Sequence, residues 1–271
     1  MKLIESSVQI IEEKDPYKMI ELAGRTCYKS EDKITENSAK EFVDRMIKLG
    51  HGAMLEHGTV YLTITATSPE VRKYEINPYS RVKKISVDGI NGRAYITTNY
   101  RVLVENKWLD DLKYQCDPTP SHEKRITVKF ICDRGVSHEF VRHRVFSFAQ
   151  ESQRYCNYSK DKFGNELTFI KPTWFEREGL NDNVNADFED QLIDTQERYF
   201  SMLALGLKPQ EVRAILPNAI KTELVMTGFE SDWEHFFELR CSGAAHPDAK
   251  KLADELKSLM NVKNIELNSV K

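Results

Sequence analysis

Two stretches near the N-terminus carry apolar residues at helical spacing. In 15–28, Tyr17, Ile20, Leu22 and Ala23 carry helical spacing; in 36–49, Ala39, Phe42, Val43, Met46, Ile47 and Leu49 repeat that signal, with Gly50 as the stop. At 57–67, HGTVYLTITAT, β-branched residues alternate with the rest, which predicts a strand. A stretch punctuated by Pro, Asn and Gly, 68–93, leads into RAYITTNYRVLVE as a second strand, then a short helix at 106–115 and the loop DPTPS. RITVKFIC (125–132) predicts a third strand, 135–142 one or two helical turns, and 183–206 a long helix. Pro209 opens a further helix at 209–215, and TELVMTGF (222–229) predicts another strand. Helices follow at 231–241, capped by Ser231, and at 246–260, opened by Pro247. Strands and helices interleave without regular βαβ repeats, so the expected fold is α+β (mixed α/β), a single sheet covered by helices. With no repeat and no Gly/Ser linker, 1–271 is expected to be a single domain. Neither G-x-G-x-x-G nor G-x-x-x-x-G-K-[ST] occurs, which excludes a Rossmann turn and a P-loop.

Composition narrows the class. Thirteen Phe, eleven Tyr and three Trp in 271 residues are too many for a disordered chain. No apolar run approaches the ~20 residues that span a bilayer. The N-terminus turns acidic within a few residues and lacks a signal peptide's apolar core, so a cytoplasmic protein is expected. The net charge of -3, from 39 Lys+Arg against 42 Asp+Glu, counts against a nucleic-acid coat. Cys27, Cys116, Cys132, Cys156 and Cys241 are odd in number and widely spaced, as reduced thiols would be. His51 and His57 match no common zinc spacing and H-E-x-x-H is absent, so no metal is expected.

The chemistry concentrates at 142–155, RHRVFSFAQESQRY. In extended chain Arg142 and Arg144 point one way and His143 the other. Three arginines within thirteen residues, with Gln150 and Ser152 between them, suit an oxyanion or phosphate pocket, because guanidinium donates two parallel hydrogen bonds. A solvated loop with surface arginines accounts for the same residues. Two other classes are open: a non-enzymatic nucleotide- or RNA-binding module using Arg142, Arg144 and Arg154 with Tyr155 and Tyr158 for stacking, and a hydrolase built on Cys156 or Ser152.

Arg142-His143-Arg144 followed by seven residues and Ser152 resembles the signature of the flavin-dependent thymidylate synthases (the ThyX family). Three further motifs follow that family's order: His51-Gly52-Ala53-Met54-Leu55-Glu56-His57 ahead of a strand, Glu211-Val212-Arg213-Ala214-Ile215-Leu216-Pro217, and Phe236-Phe237-Glu238-Leu239-Arg240. The resemblance covers about residues 20–65 and 125–260. It implies methylation of dUMP to dTMP, with 5,10-methylenetetrahydrofolate as carbon donor and FAD reduced by NADPH as hydride donor. It also implies no covalent enzyme nucleophile, so that Cys156 is a packed thiol, and a homotetramer whose sites draw on several subunits. By the same carry-over, Glu139, Arg142, Gln150, Glu151, Ser152, Gln153, Arg154, Arg213 and Arg240 line the dUMP site. Arg240 is the catalytic cation beside the uracil. His51, Ala53, Glu56, Arg142, His143, Arg144, Gln150, Glu230, Ser231 and His235 are implied for FAD; His57 is read as a structural residue at the strand entry. Three positions depart from the family pattern: Glu139 where Gln is usual, Ala53 for a hydroxyl residue, and Phe229 for a polar one. The 66–124 segment is expected as an extra hairpin and helix, with no assigned role.

Overall fold

The computed structural model describes residues 1–86 and 92–269; the remainder, including 87–91 of the 66–124 segment, lies outside the described residues. Its strands are β1 (Lys2–Ile4), β2 (Ser7–Ile11), β3 (Thr59–Thr65), β4 (Arg81–Ser86), β5 (Gly92–Asn99), β6 (Arg125–Asp133), β7 (Ser147–Gln150), β8 (Thr168–Ile170) and β9 (Lys221–Phe229). The helices are α1 (Pro16–Tyr28), α2 (Ser38–Leu49), α3 (Gly52–Leu55), α4 (Pro69–Glu75), α5 (Tyr100–Glu105), α6 (Arg134–Phe140), α7 (Asp182–Ala204), α8 (Pro209–Val212), α9 (Glu230–Arg240) and α10 (Pro247–Ser269). No helix among the described residues is long and apolar enough to cross a membrane.

The mixed α+β character holds, but the strands form three sheets rather than the expected one. An antiparallel sheet runs β2-β6-β9-β7, a second runs β3-β5-β4, and β1 pairs with β8 in parallel. Each sheet has its own apolar partner. Val128, Phe130, Leu224 and Met226 of the first pack on Phe140, Trp233, Phe236, Leu252 and Leu256, while Val225 and Ala149 on its other face meet Ala23 of α1. Leu62, Ile64 and Ile96 of the second pack on Phe42, Val43, Tyr74 and Leu103. Phe169 of the third packs on Leu192, Tyr199 and Val212. Periodicity marks each strand, but the partner of a strand is a long-range property that the pattern does not carry.

Local chemistry explains the element ends. Asp15 caps α1 by accepting from the Tyr17 and Lys18 amides, with Pro16 in the first turn. α2 ends at Gly50, whose φ of 69° is the left-handed conformation that a helix C-terminus uses. The second strand stops sooner than expected: the Asn99 side chain accepts from the Val102 amide, turning Tyr100–Glu105 into helix. Residues Leu109–Tyr114 form a 3-10 turn within the expected helix. Ser231 does not cap α9. The Asp232 carboxylate accepts from the Phe229 amide at 3.2 Å, while the Ser231 hydroxyl donates to Glu123 at 2.5 Å.

Candidate active site

The turn between α6 and β7 carries the RHR residues. Phe146 anchors it: its ring lies where a Cβ on Gly228 would stand, 2.4 Å from the nearest ring atoms, so the close approach requires glycine. Phe146 also packs on Trp233 at 4.6 Å between ring centroids, and His143 on Phe236 at 5.0 Å. His143 is thereby buried, and Arg142 and Arg144 on either side of it are exposed. Neither arginine makes an ion pair among the described residues. The in/out alternation is as predicted, though the segment is a turn and not extended strand.

Arg240, at the end of α9, reaches back to this turn. Its Nε donates to His143 Nε2 at 3.0 Å, its Nη2 to the Glu139 carbonyl at 2.6 Å, and its Nη1 to the Glu139 carboxylate. Since Nε–H can only donate, His143 Nε2 accepts and the ring proton sits on Nδ1. Burial, and then the Arg240 charge, pushes His143 down to about 4, so the ring is neutral near pH 7. The Glu139 carboxylate thus faces the Arg240 cation of its own chain. His235 stands nearby, 6.3 Å ring to ring from His143, with Nδ1 3.2 Å from Glu238.

A second group of predicted residues gathers where β7 leaves the sheet. Gln150 donates to Ser137 at 2.8 Å and to Thr222 at 3.3 Å. Glu151 accepts from Lys221 at 2.9 Å and from the Tyr158 hydroxyl at 3.1 Å. The Ser152 amide donates to the Cys27 carbonyl at 2.9 Å. The Gln153 side-chain nitrogen, Nε2, is buried with no hydrogen-bond partner among the described residues. Arg154 stacks over Tyr155 and, like Arg213, is exposed without an ion pair among the described residues. Burial, and then the Arg213 charge, lowers the pKa of the Arg134 guanidinium.

Beneath this group lies a charge network that sequence reasoning missed. Glu223 is met by Lys29 at 2.8 Å and by Lys129 and Lys221 at 2.5 Å each. With Glu31 and Glu151 the tally is three lysines against three glutamates, a formal balance of zero. The available signal was Lys221 and Glu223, charged residues two apart on one face of an otherwise apolar strand.

Apart from Gln150, which lies in the group where β7 leaves the sheet, the residues implied for FAD divide into two places. Glu56 at the end of α3 pairs with Arg101 at 2.5 Å, and its carbonyl accepts from Arg125 at 2.8 Å. Arg125 stands opposite Phe229 in the β6–β9 register, and the Glu230 amide donates to the Lys124 carbonyl, so Glu56, Glu230 and Ser231 share this corner. His51 and Ala53 flank it on the exposed side of α3. His143 and Arg240 lie at the other end of α9, about 15 Å from Glu230 at helical rise. One chain does not bring the two sets together. Cys156 is 1% exposed, and burial followed by the Glu151 charge pushes its thiol up to about 12.

Comparison with known proteins adds a class to this geometry. Residues 9–73 and 83–263 match the family described as Thymidylate synthase complementing protein, and the chain belongs to that family, Thy1. A flavin-dependent thymidylate synthase of Geobacter sulfurreducens is 23% identical over 91% of this chain and 78% of its own length. One from Corynebacterium aurimucosum is 24% identical over 87% of this chain and 72% of its own. Among solved structures, the UMP/dUMP methylase PolB from Streptomyces cacaoi bound with 5-Br UMP is 14% identical, with a TM-score of 0.46, over 96% of this chain and 91% of that one. That score is too low to carry weight.

Proposed function

We propose that the protein is a flavin-dependent thymidylate synthase. It converts dUMP, 5,10-methylenetetrahydrofolate, NADPH and a proton into dTMP, tetrahydrofolate and NADP+. The observation that carries this reading is the meeting of Arg240 with His143, two family-motif residues 97 positions apart joined by a 3.0 Å hydrogen bond. A guanidinium fixed by a neutral, buried imidazole is a preorganised cation, the arrangement that stabilises charge developing on a uracil ring.

The other roles follow from donor chemistry. Arg154, Arg213 and the open Gln153 amide suit the dUMP phosphate and its ring, with Gln150, Glu151 and Ser152 shaping the loop that carries them. Arg142 and Arg144, exposed and without an ion pair among the described residues, suit the diphosphate of FAD, so the residues present fit that cofactor. His51, Ala53, Glu56, Glu230, Ser231 and His235 would hold it from α3 and α9. FAD, reduced by NADPH, supplies the hydride when bound. The division of the flavin residues between two corners is met by a homotetramer, in which one subunit's α3 corner faces another's RHR turn. A protonated, enclosed Cys156 is a poor nucleophile, in keeping with a reaction without covalent attachment to the enzyme.

The purified protein should carry flavin absorbance, or gain it with added FAD. It should then oxidise NADPH with thymidylate formation dependent on folate and dUMP. A colourless protein that does not take up FAD would sink the reading.

A further inference from the structure

Arg240 is held by three contacts of two kinds. The His143 ring and the Glu139 carbonyl are fixed parts of the core and the α6 backbone, whereas the Glu139 carboxylate sits on a side chain that is 41% exposed. The Arg240 side chain is 13% exposed. Two of its five N–H groups, one on each Nη, are left for a ligand. An anion approaching those two donors meets the Glu139 carboxylate on the same nitrogen, Nη1. We propose that Glu139 is an exchangeable counter-ion: it neutralises Arg240 in the free enzyme and gives up its carboxylate contact when the anionic nucleotide arrives, so that it sets the affinity of the site. The two fixed contacts keep the guanidinium in place during the exchange. Glu139 acts through Arg240 and is a positioning residue. The inference rests on the thymidylate synthase reading for the identity of the nucleotide.

The test uses FAD-loaded protein and dUMP, with affinity read by calorimetry and turnover by thymidylate formation. Glu139→Gln keeps an acceptor for Arg240 and removes the charge. It should tighten dUMP binding about fivefold, the size of a partly exposed charge interaction, and lower KM by the same factor. Glu139→Asp, which keeps the charge, should bind no more tightly than the wild type. With Arg240→Ala in the background, Glu139→Gln should no longer tighten binding. Unchanged or weaker binding in Glu139→Gln, or tightening that survives the loss of Arg240, overturns the proposal while leaving the thymidylate synthase reading intact. A wild-type protein that binds no dUMP overturns both.

Discussion

Glu223 is 7% exposed and ringed by three ammonium groups, whereas Glu139 is 41% exposed and faces one guanidinium. Both carboxylates are satisfied, but they are satisfied in different ways. The Glu223 cluster closes on itself: Lys221 also holds Glu151, Lys29 also holds Glu31, and every charge in it answers another within the chain. Such a network is balanced in charge and ties β9, β6 and the end of α1 together beneath the 150–154 loop. The Glu139 pair is open on the solvent side and leaves donors unspent. Interlocked burial makes a foundation, and partial exposure makes a site.

Removing Glu223 should have the largest effect. Glu223→Ala leaves three ammonium groups without their common anion and should cost about 3–5 kcal/mol in chemical denaturation; a loss under about 1 kcal/mol would show that the network is dispensable. The same group sets an acid dependence. Burial pushes Glu223 up, but Lys221, Lys129 and Lys29 together overcome it and hold the carboxyl well below its ordinary range. A depressed carboxyl contributes stability that is present above its unfolded-state value and lost as pH falls toward the folded one. Stability should therefore decline below about pH 5, with a shallower slope in Glu223→Gln. Next in size, Arg240→Ala should lower thymidylate formation about a hundredfold or more while leaving flavin bound. Near-normal turnover would remove Arg240 from catalysis. The smallest effect belongs to Cys156→Ala, which should keep turnover within about threefold and cost about 1 kcal/mol in stability. Abolished turnover with FAD and dUMP still bound would contradict a mechanism without a protein nucleophile.

The sequence exposed the two regions unequally. The helices 15–28 and 36–49 and the strands at 125–132 and 222–229 were legible because each carries a long single-period pattern. The strands β1, β7 and β8, of three or four residues, were not legible: so short a run has no period to read. The site residues His143 and Arg240 were named through motifs, but their hydrogen bond joins positions 97 apart and depends on Phe236 stacking under the imidazole, which no local pattern encodes. Glu139 stood out as a departure from a family pattern, yet the direction its carboxylate takes came only from the fold. The Glu223 network escaped because its three lysines come from a loop and two strands, and only Lys221 stands near Glu223 in the chain.

Arg125 has a wider consequence. Its guanidinium donates to the Glu56 carbonyl and toward Thr59 of β3 on one side, and to Ser147 of β7 on the other. Beside it His57, at the entry to β3, bonds Thr227 of β9 at 2.8 Å. Among the described residues the first and second sheets share no ladder hydrogen bond, so these polar side chains help to stitch two separately cored layers. A stitch made of directional bonds is lost all at once rather than by degrees. The two hydrophobic cores should therefore melt in one transition, and a second transition in calorimetry would show that the stitch does not couple them.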